Sequence, residues 1–415
     1  MNILQLKRQL KKRKENKHYE IKPIGSAIRI KRKEMNMTLE EGADGICSVS
    51  YLSKLETNQI DPNMDFVERL VERFDLKEKI AYNQEQYEKD LMTITDWLIH
   101  LKEPIVDQLG SYEERKDHQA YLIGLLIHTM RKQKDEMRQG IRLMHPFIPH
   151  LKQEELVLLL MCMCELLLIE EHLMDAYQVV CEIPDQHETS YDHYILALRL
   201  RLIIAFRMHH DVEIHLHYHH YLQEVNHQGY YHLAKEIRQY ELIYLAHSLS
   251  PEAIKRIQQT SDRYFELGNL PRAISSFIHQ HYDDVIKLAK QQTDYQGWIF
   301  IYLASLFHQN EIDEIKTFIE HHKDHTYDPS EHLFMKWMYL KINHPSQALP
   351  PLIKQNLHIE NISIDHPLII EYMMKDMAFE LSHAQYYKDA YHILSYHFRK
   401  SKSLKKSYAF DMDEA

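Results

Sequence analysis

Glycine is scarce, with 9 in 415 residues. Apolar positions recur at i, i+3, i+4 and i+7 along nearly the whole chain, and together these features exclude a hairpin-rich sheet and predict helix. Cysteine is sparser still. Cys47, Cys162, Cys164 and Cys181 are too few and too unevenly spaced for a disulfide framework, and Cys162 and Cys164 sit in a continuous apolar run where small buried thiols are common, so no metal or redox role is expected of them. No stretch reaches the roughly 18 to 20 apolar residues that cross a bilayer. Met1 to Lys17, although basic, lacks the apolar segment and small-residue cleavage site of a secretory signal, which makes the cytoplasm the expected compartment. Glycine-rich phosphate loops, a nucleophile elbow and metal-ligand spacings are missing as well, so neither an enzyme nor a cofactor is expected.

What is present is a composition 44% hydrophobic and 27% charged, at a length that exceeds one hydrophobic core and implies several domains or a repeat array. Charge is segregated. Residues 1–33 carry twelve Lys and Arg against Glu15 and Glu20, which leaves the remainder at −21 within a total of −11. A basic end on an acidic body suits a protein that meets a polyanion at one end and something else at the other, although a solvated tail has the same composition. The expected fold class is all-α: a five-helix helix-turn-helix domain at the N-terminus, followed by a degenerate tetratricopeptide-like α-solenoid. The boundaries are a basic arm at 1–22, the helix-turn-helix domain at 23–76, a helical linker containing Trp97 at 77–115, the repeats at 116–400 and a tail at 401–415.

Within the repeats, apolar helical runs such as Tyr121 to Met130, Leu156 to Leu168 and Trp298 to His308 are mostly trailed by a second amphipathic helix after a short polar turn. The best local match to a tetratricopeptide repeat is Tyr264, Leu267, Gly268, Ala273 and Phe277. Similar turns precede Ala176, Ala348 and Ala390, at spacings that do not hold a 34-residue period. Thirty-one histidines, including His215, His217, His219 and His220, raise the question of a metal site. Histidine is abundant throughout, so compositional habit explains the cluster and no metal is expected.

The segment with functional information is Thr38-Leu39-Glu40-Glu41. Its Thr-x-x-Glu form is a capping box, in which hydroxyl and carboxylate each satisfy a free N–H at a helix start. That helix must be short, because Gly42 and Gly45 weaken it, and Ser48 is placed to N-cap a new one over Val49 to Glu56. In the second helix Leu52 and Leu55 share an inward face, which leaves Ser50, Tyr51 and Lys54 to project outward toward a major groove. Gly25 to Met35 forms a preceding helix bearing Arg29, Lys31, Arg32 and Lys33, and a loop through Asn58 and Pro62 leads to a helix whose Phe66, Leu70 and Phe74 close the core. The candidate DNA-binding residues are Arg29, Lys31, Arg32, Thr38, Ser48, Ser50, Tyr51, Lys54 and Asn58, with double-stranded DNA as the partner; phosphate contacts come from the flanks and base contacts from the second helix.

Ala43 to Glu56, followed by Asn58-Gln59-Ile60-Asp61-Pro62, resembles the helix-turn-helix of the Rgg, NprR, PlcR and PrgX family of Gram-positive peptide-pheromone receptors, most closely its NprR and PlcR branches. Gly42 departs from the pattern, since many Cro-type domains carry an apolar residue there. The resemblance implies a cytoplasmic homodimeric regulator in which degenerate repeats bind a short imported signalling peptide, and peptide binding changes DNA binding. Arg199 and Arg201 interrupt an apolar stretch, and Arg238 and Tyr244 lie on the next long helix; these four are the candidate peptide-binding residues. An Arg among leucines also commonly pairs with a neighbouring carboxylate. The alternative is an array of Rap type that sequesters a response regulator or another protein partner, with DNA binding secondary. No membrane partner is expected.

Overall fold

The computed structural model describes residues 3–15, 23–57, 60, 62–76, 84–109, 117–170, 172–184, 190–261, 268–292, 295, 297–323, 325, 329–356 and 367–395. Among these there is no strand, and the chain is a succession of helices. The first six are α1 (Ile3–Glu15), α2 (Pro23–Glu34), α3 (Leu39–Ala43), α4 (Val49–Glu56), α5 (Met64–Arg73) and α6 (Gln84–Ile99). Then follow α7 (His118–Met130), α8 (Lys134–Met144), a 3-10 segment His145–His150, α9 (Gln153–Ile169), α10 (Leu173–Val180), α11 (Tyr191–Met208), α12 (Asp211–His227) and α13 (Tyr231–Ala246). The rest are α14 (Pro251–Ser261), α15 (Leu270–Ile278), α16 (Tyr282–Ala289), α17 (Ile299–His308), α18 (Ile312–His322), α19 (Pro329–Asn343), α20 (Leu349–Asn356) and α21 (Pro367–His383).

The chain divides into two compact units. One comprises residues 1–170, 175–204 and 215–233, the other residues 171–174, 205–214 and 234–415. In the first unit α7 packs on α8, α8 on α9, and α7 also on α9; in the second, α15, α16, α17 and α18 pack in succession, while α17 also meets α19 and α19 meets α21. Contact with the next helix and with the next but one is the packing of stacked helix pairs, as in an α-solenoid. The helices at the centre of such a stack are covered on every side and are correspondingly apolar all round. Leu156 to Leu160 in α9 and Ile299 to Leu306 in α17 are buried throughout.

Many helices end in one device. Asn36, Asp75, Lys132, His209, Gln280, Asn310 and Gln385 all take positive φ. In each case the following N–H reaches back to the carbonyl five residues earlier, as Gln133 does to His128, His281 to Ser276 and Glu311 to Leu306. This is the Schellman closure, which usually takes glycine. Leu101 and Gly229 close their helices in the same way, but most of these positions are polar and not glycine, so a glycine-poor chain still turns sharply. Of the positions matched to a tetratricopeptide repeat, Ala273 and Phe277 are buried on α15, while Tyr264 and Leu267 lie outside the described residues. Ala176 and Ala390 are buried and Ala348 is half-buried.

In residues 23–76 four helices, α2 to α5, close around Ala27, Ile28, Ala43, Leu52, Leu55, Val67, Leu70, Phe74 and Leu76. The next helix, α6, begins at Gln84, packs on α7 and buries Trp97. Helix α1 packs on the 3-10 segment through buried Leu6 and Leu10. The tail at 401–415 lies outside the described residues.

Candidate nucleic-acid interface

Two short helices meeting at a tight turn need their ends satisfied locally, and they are. The Thr38 hydroxyl accepts from the Glu41 N–H at 3.2 Å while a Glu41 carboxylate oxygen accepts from the Thr38 N–H at 2.6 Å. The bond from the Thr38 N–H, with the Thr38 hydroxyl adding to it, holds the Glu41 carboxyl below its ordinary pKa. Helix α3 stops at Ala43, Gly45 takes φ +66° in open space, and the Ser48 hydroxyl accepts from the Tyr51 N–H at 3.1 Å to start α4. Thr38 and Ser48 therefore act first as caps, with exposed side chains whose oxygens already hold backbone donors.

Helix α4 is set by its inward face. Leu52 and Leu55 are fully buried, and Gly25 of α2 lies so close that a Cβ there would stand 2.3 Å from the Leu55 carbonyl oxygen. The opposite face carries Ser50 and Lys54, both exposed. Tyr51 is half-buried: its ring meets Phe66 edge-on at 5.0 Å, and its hydroxyl accepts from the Asn63 N–H at 2.7 Å. It thus ties α4 to the start of α5, where Asn63 is itself the N-cap.

Among the flanking cations, the structure corrects the place of Arg32. Its guanidinium is buried, donating from Nε and Nη2 to the two Glu56 carboxylate oxygens at 2.6 and 2.7 Å and from Nη1 to the Met37 carbonyl at 2.7 Å. Three of its five N–H donors are thus committed inside the domain, and its fork is spent on Glu56 instead of a phosphate. The Glu56 hydrogen bonds hold its pKa above the ordinary arginine value. Gly42 makes room for it, because a Cβ there would fall 2.8 Å from Arg32 Cδ. Arg29 is half-buried over the Phe147 ring, 5.6 Å from its centroid. Lys31 is half-buried, and Lys33 is exposed. Asn58 lies outside the described residues.

Two arginines that the sequence pattern did not single out hold the turn between the paired helices. Arg73 donates to the carbonyls of Asp44, Glu41 and Gly42 at 2.6, 3.1 and 3.3 Å, and Arg69 to that of Gly45. Their spacing of four on α5 was the available signal, but their acceptors are 24 to 32 residues away. The four candidates in the repeats fall in different units. Arg199 and Arg201 are half-buried in the first, with Arg199 donating to Glu165 at 3.3 Å; Arg238 and Tyr244 are in the second, bonded to Glu241 at 3.0 Å and Asp211 at 2.5 Å. The Asp211 bond and burial push the Tyr244 hydroxyl up to about 12.

No described helix is long and apolar enough to cross a membrane. No curated protein and no solved structure matches the chain. A helix-turn-helix family model matches residues 28–79, a span that runs from within α2 past the end of α5, and this segment is a Cro-type helix-turn-helix, the domain of DNA-binding transcriptional regulators.

Proposed function

We propose that the chain is a sequence-specific transcriptional regulator, acting as a homodimer in the cytoplasm, whose helical repeats bind a short signalling peptide that switches DNA binding or oligomeric state. The observation that carries the DNA-reading half is α4 itself. Its inward leucines and terminal caps are fully satisfied, while Ser50 and Lys54 stand in solvent on the opposite face. A hydroxyl and an ammonium on a short exposed helix suit base-edge acceptors in a major groove. Two such helices in a dimer would meet half-sites about 34 Å apart. The peptide half is supported by the resemblance to the peptide-pheromone receptors and by the half-buried Arg199 and Arg201, which interrupt the apolar sequence of α11, Arg199 pairing there with Glu165. No enzymatic activity is proposed.

Footprinting on the DNA upstream of the protein's own gene tests the reading. Wild-type chain should protect a palindromic or directly repeated site, and Lys54→Ala should weaken it by about 1 to 3 kcal/mol, with relaxed preference at one base position. Tyr51→Phe, which removes only the acceptor for Asn63, should weaken all sequences alike. Protection that ignores sequence, or none at all, would sink the regulator. Binding of a response regulator by a chain indifferent to DNA would install the Rap-type alternative. Calorimetric titration with C-terminal fragments of a short secreted peptide encoded beside the gene tests the switch; silence from every fragment removes that half of the proposal.

A further inference from the structure

The basic segment before the helix-turn-helix is not needed to complete that domain's core, yet it is held in place. Helix α1 packs on the 3-10 segment His145–His150 through Leu6, Leu10 and Arg13, all buried and spaced i, i+4 and i+7. Arg13 anchors it with bonds to the Leu151 carbonyl and, at 2.9 Å, to the Gln153 side chain. With that face occupied, Lys7, Arg8, Lys11, Lys12 and Lys14 are turned outward and exposed. Among the described residues none of the five is in an ion pair. From Lys7 to Lys14 the row is roughly 10 Å long at 1.5 Å per residue, enough to face several phosphates of a duplex that carries one charge per about 1.7 Å of axis. Arg8 and Lys12 also line an open groove with Gln5, Gln9, Lys11 and His145.

The same 3-10 segment supports the DNA-reading domain, since Arg29 of α2 lies over Phe147. Basic helix and helix-turn-helix thus share one bed within one compact unit, so a polyanion on one is near the other. A lipid surface fits poorly. A helix that lies on a membrane presents its apolar face outward, whereas Leu6 and Leu10 face the protein.

We infer that α1 is a second phosphate-binding surface, which engages the backbone of the duplex flanking the half-site read by α4. The inference rests on the DNA-binding function proposed for α4. It adds affinity without sequence information, because backbone contacts position and do not specify.

The test is the salt dependence of operator binding by the full chain, wild type against Lys7→Gln/Arg8→Gln/Lys11→Gln/Lys12→Gln. Glutamine keeps helix propensity and leaves the anchoring residues untouched, and far-ultraviolet circular dichroism checks that the fold survives. The slope of log affinity against log salt should fall by about 0.9 for each phosphate that the variant no longer neutralises, and the footprint should shorten on its flank. The ratio of operator to scrambled-site affinity should stay unchanged. With wild type bound to its operator, an unaltered slope and footprint overturn the inference alone. Failure of the wild type to bind any duplex overturns the DNA-binding function and the inference with it. A variant that loses dimer mass in DNA-free sedimentation, with its slope preserved, assigns α1 to the acidic surface of a second copy instead. Pelleting of the wild type with phosphatidylserine vesicles, absent in the variant and accompanied by an unchanged DNA slope, assigns it to lipid.

Discussion

Arg32 shows how a residue's apparent role can invert on folding. It stands in a run of three cations, Lys31 to Lys33, and reads as a surface charge, but its guanidinium and the Glu56 carboxylate form a bidentate pair inside the domain. Desolvation makes such a pair a weak source of net stability, whereas removal of one partner strands the other charge. Glu56→Ala should therefore destabilise the helix-turn-helix by about 3 to 5 kcal/mol in urea unfolding. Arg32→Met/Glu56→Leu, which removes both charges and keeps the volume, should lie much nearer to wild type. Equal losses in the single and double variants would mean that packing and not charge pairing is at stake. Arg32→Lys should not rescue, because an ammonium has no planar fork for two carboxylate oxygens.

Between elements, the helix-turn-helix is joined to the helices behind it by a buried polar chain. The Ser26 hydroxyl of α2 and His118 Nδ1 of α7 are 3.0 Å apart. His118 Nε2 lies 3.9 Å from a Glu155 carboxylate oxygen of α9, which also accepts from the Tyr87 hydroxyl of α6 at 2.9 Å. All four side chains are buried. Burial lowers the His118 pKa despite Glu155 and Asp117, which pull the other way, and with Lys152 adding to the lowering. His150 is lowered to about 4, again mainly by burial, with the charges of Arg29 and Arg13 adding to the lowering. The folded state keeps these rings neutral while an unfolded chain takes up protons below about 6.5. Their contribution to stability is thus complete above that range and is lost as pH falls toward the folded-state values. Hydrogen–deuterium exchange of peptides covering α2 and α7 should accelerate between pH 7 and 5 after correction for intrinsic rates, and His118→Gln should flatten that dependence. A pH-independent protection factor in the wild type would refute the role given to the buried rings.

For the whole molecule, the division into two units with separate internal packing has a thermodynamic consequence. The second unit contains its own core around Trp298, Phe300, Phe334, Trp337 and Met377, while the helix-turn-helix closes around Ile28, Leu52, Leu70 and Phe74. Cores that close independently seldom melt as one cooperative event, and repeat arrays lose strict two-state behaviour with length. Differential scanning calorimetry should give a calorimetric enthalpy larger than the van 't Hoff enthalpy. Equality of the two, with coincident fluorescence and circular dichroism transitions, would show a single cooperative body.

Helix class, the Thr38–Glu41 capping box, the Ser48 cap and the inward Leu52 and Leu55 were legible in the amino-acid order, because each is settled within one or two turns of chain. A free N–H three residues away, or a leucine three positions on, needs no knowledge of the rest. The repeat turns were half legible: the left-handed caps at His209, Gln280 and Asn310 carry none of the glycines that usually mark them. Only folding decided the rest. Tyr51 finds Asn63 twelve residues on, Arg32 finds Glu56 at 24, Ser26 finds His118 at 92 and Arg13 finds Leu151 at 138. At those separations a charge or hydroxyl has many conceivable partners, and the packing of helices selects one.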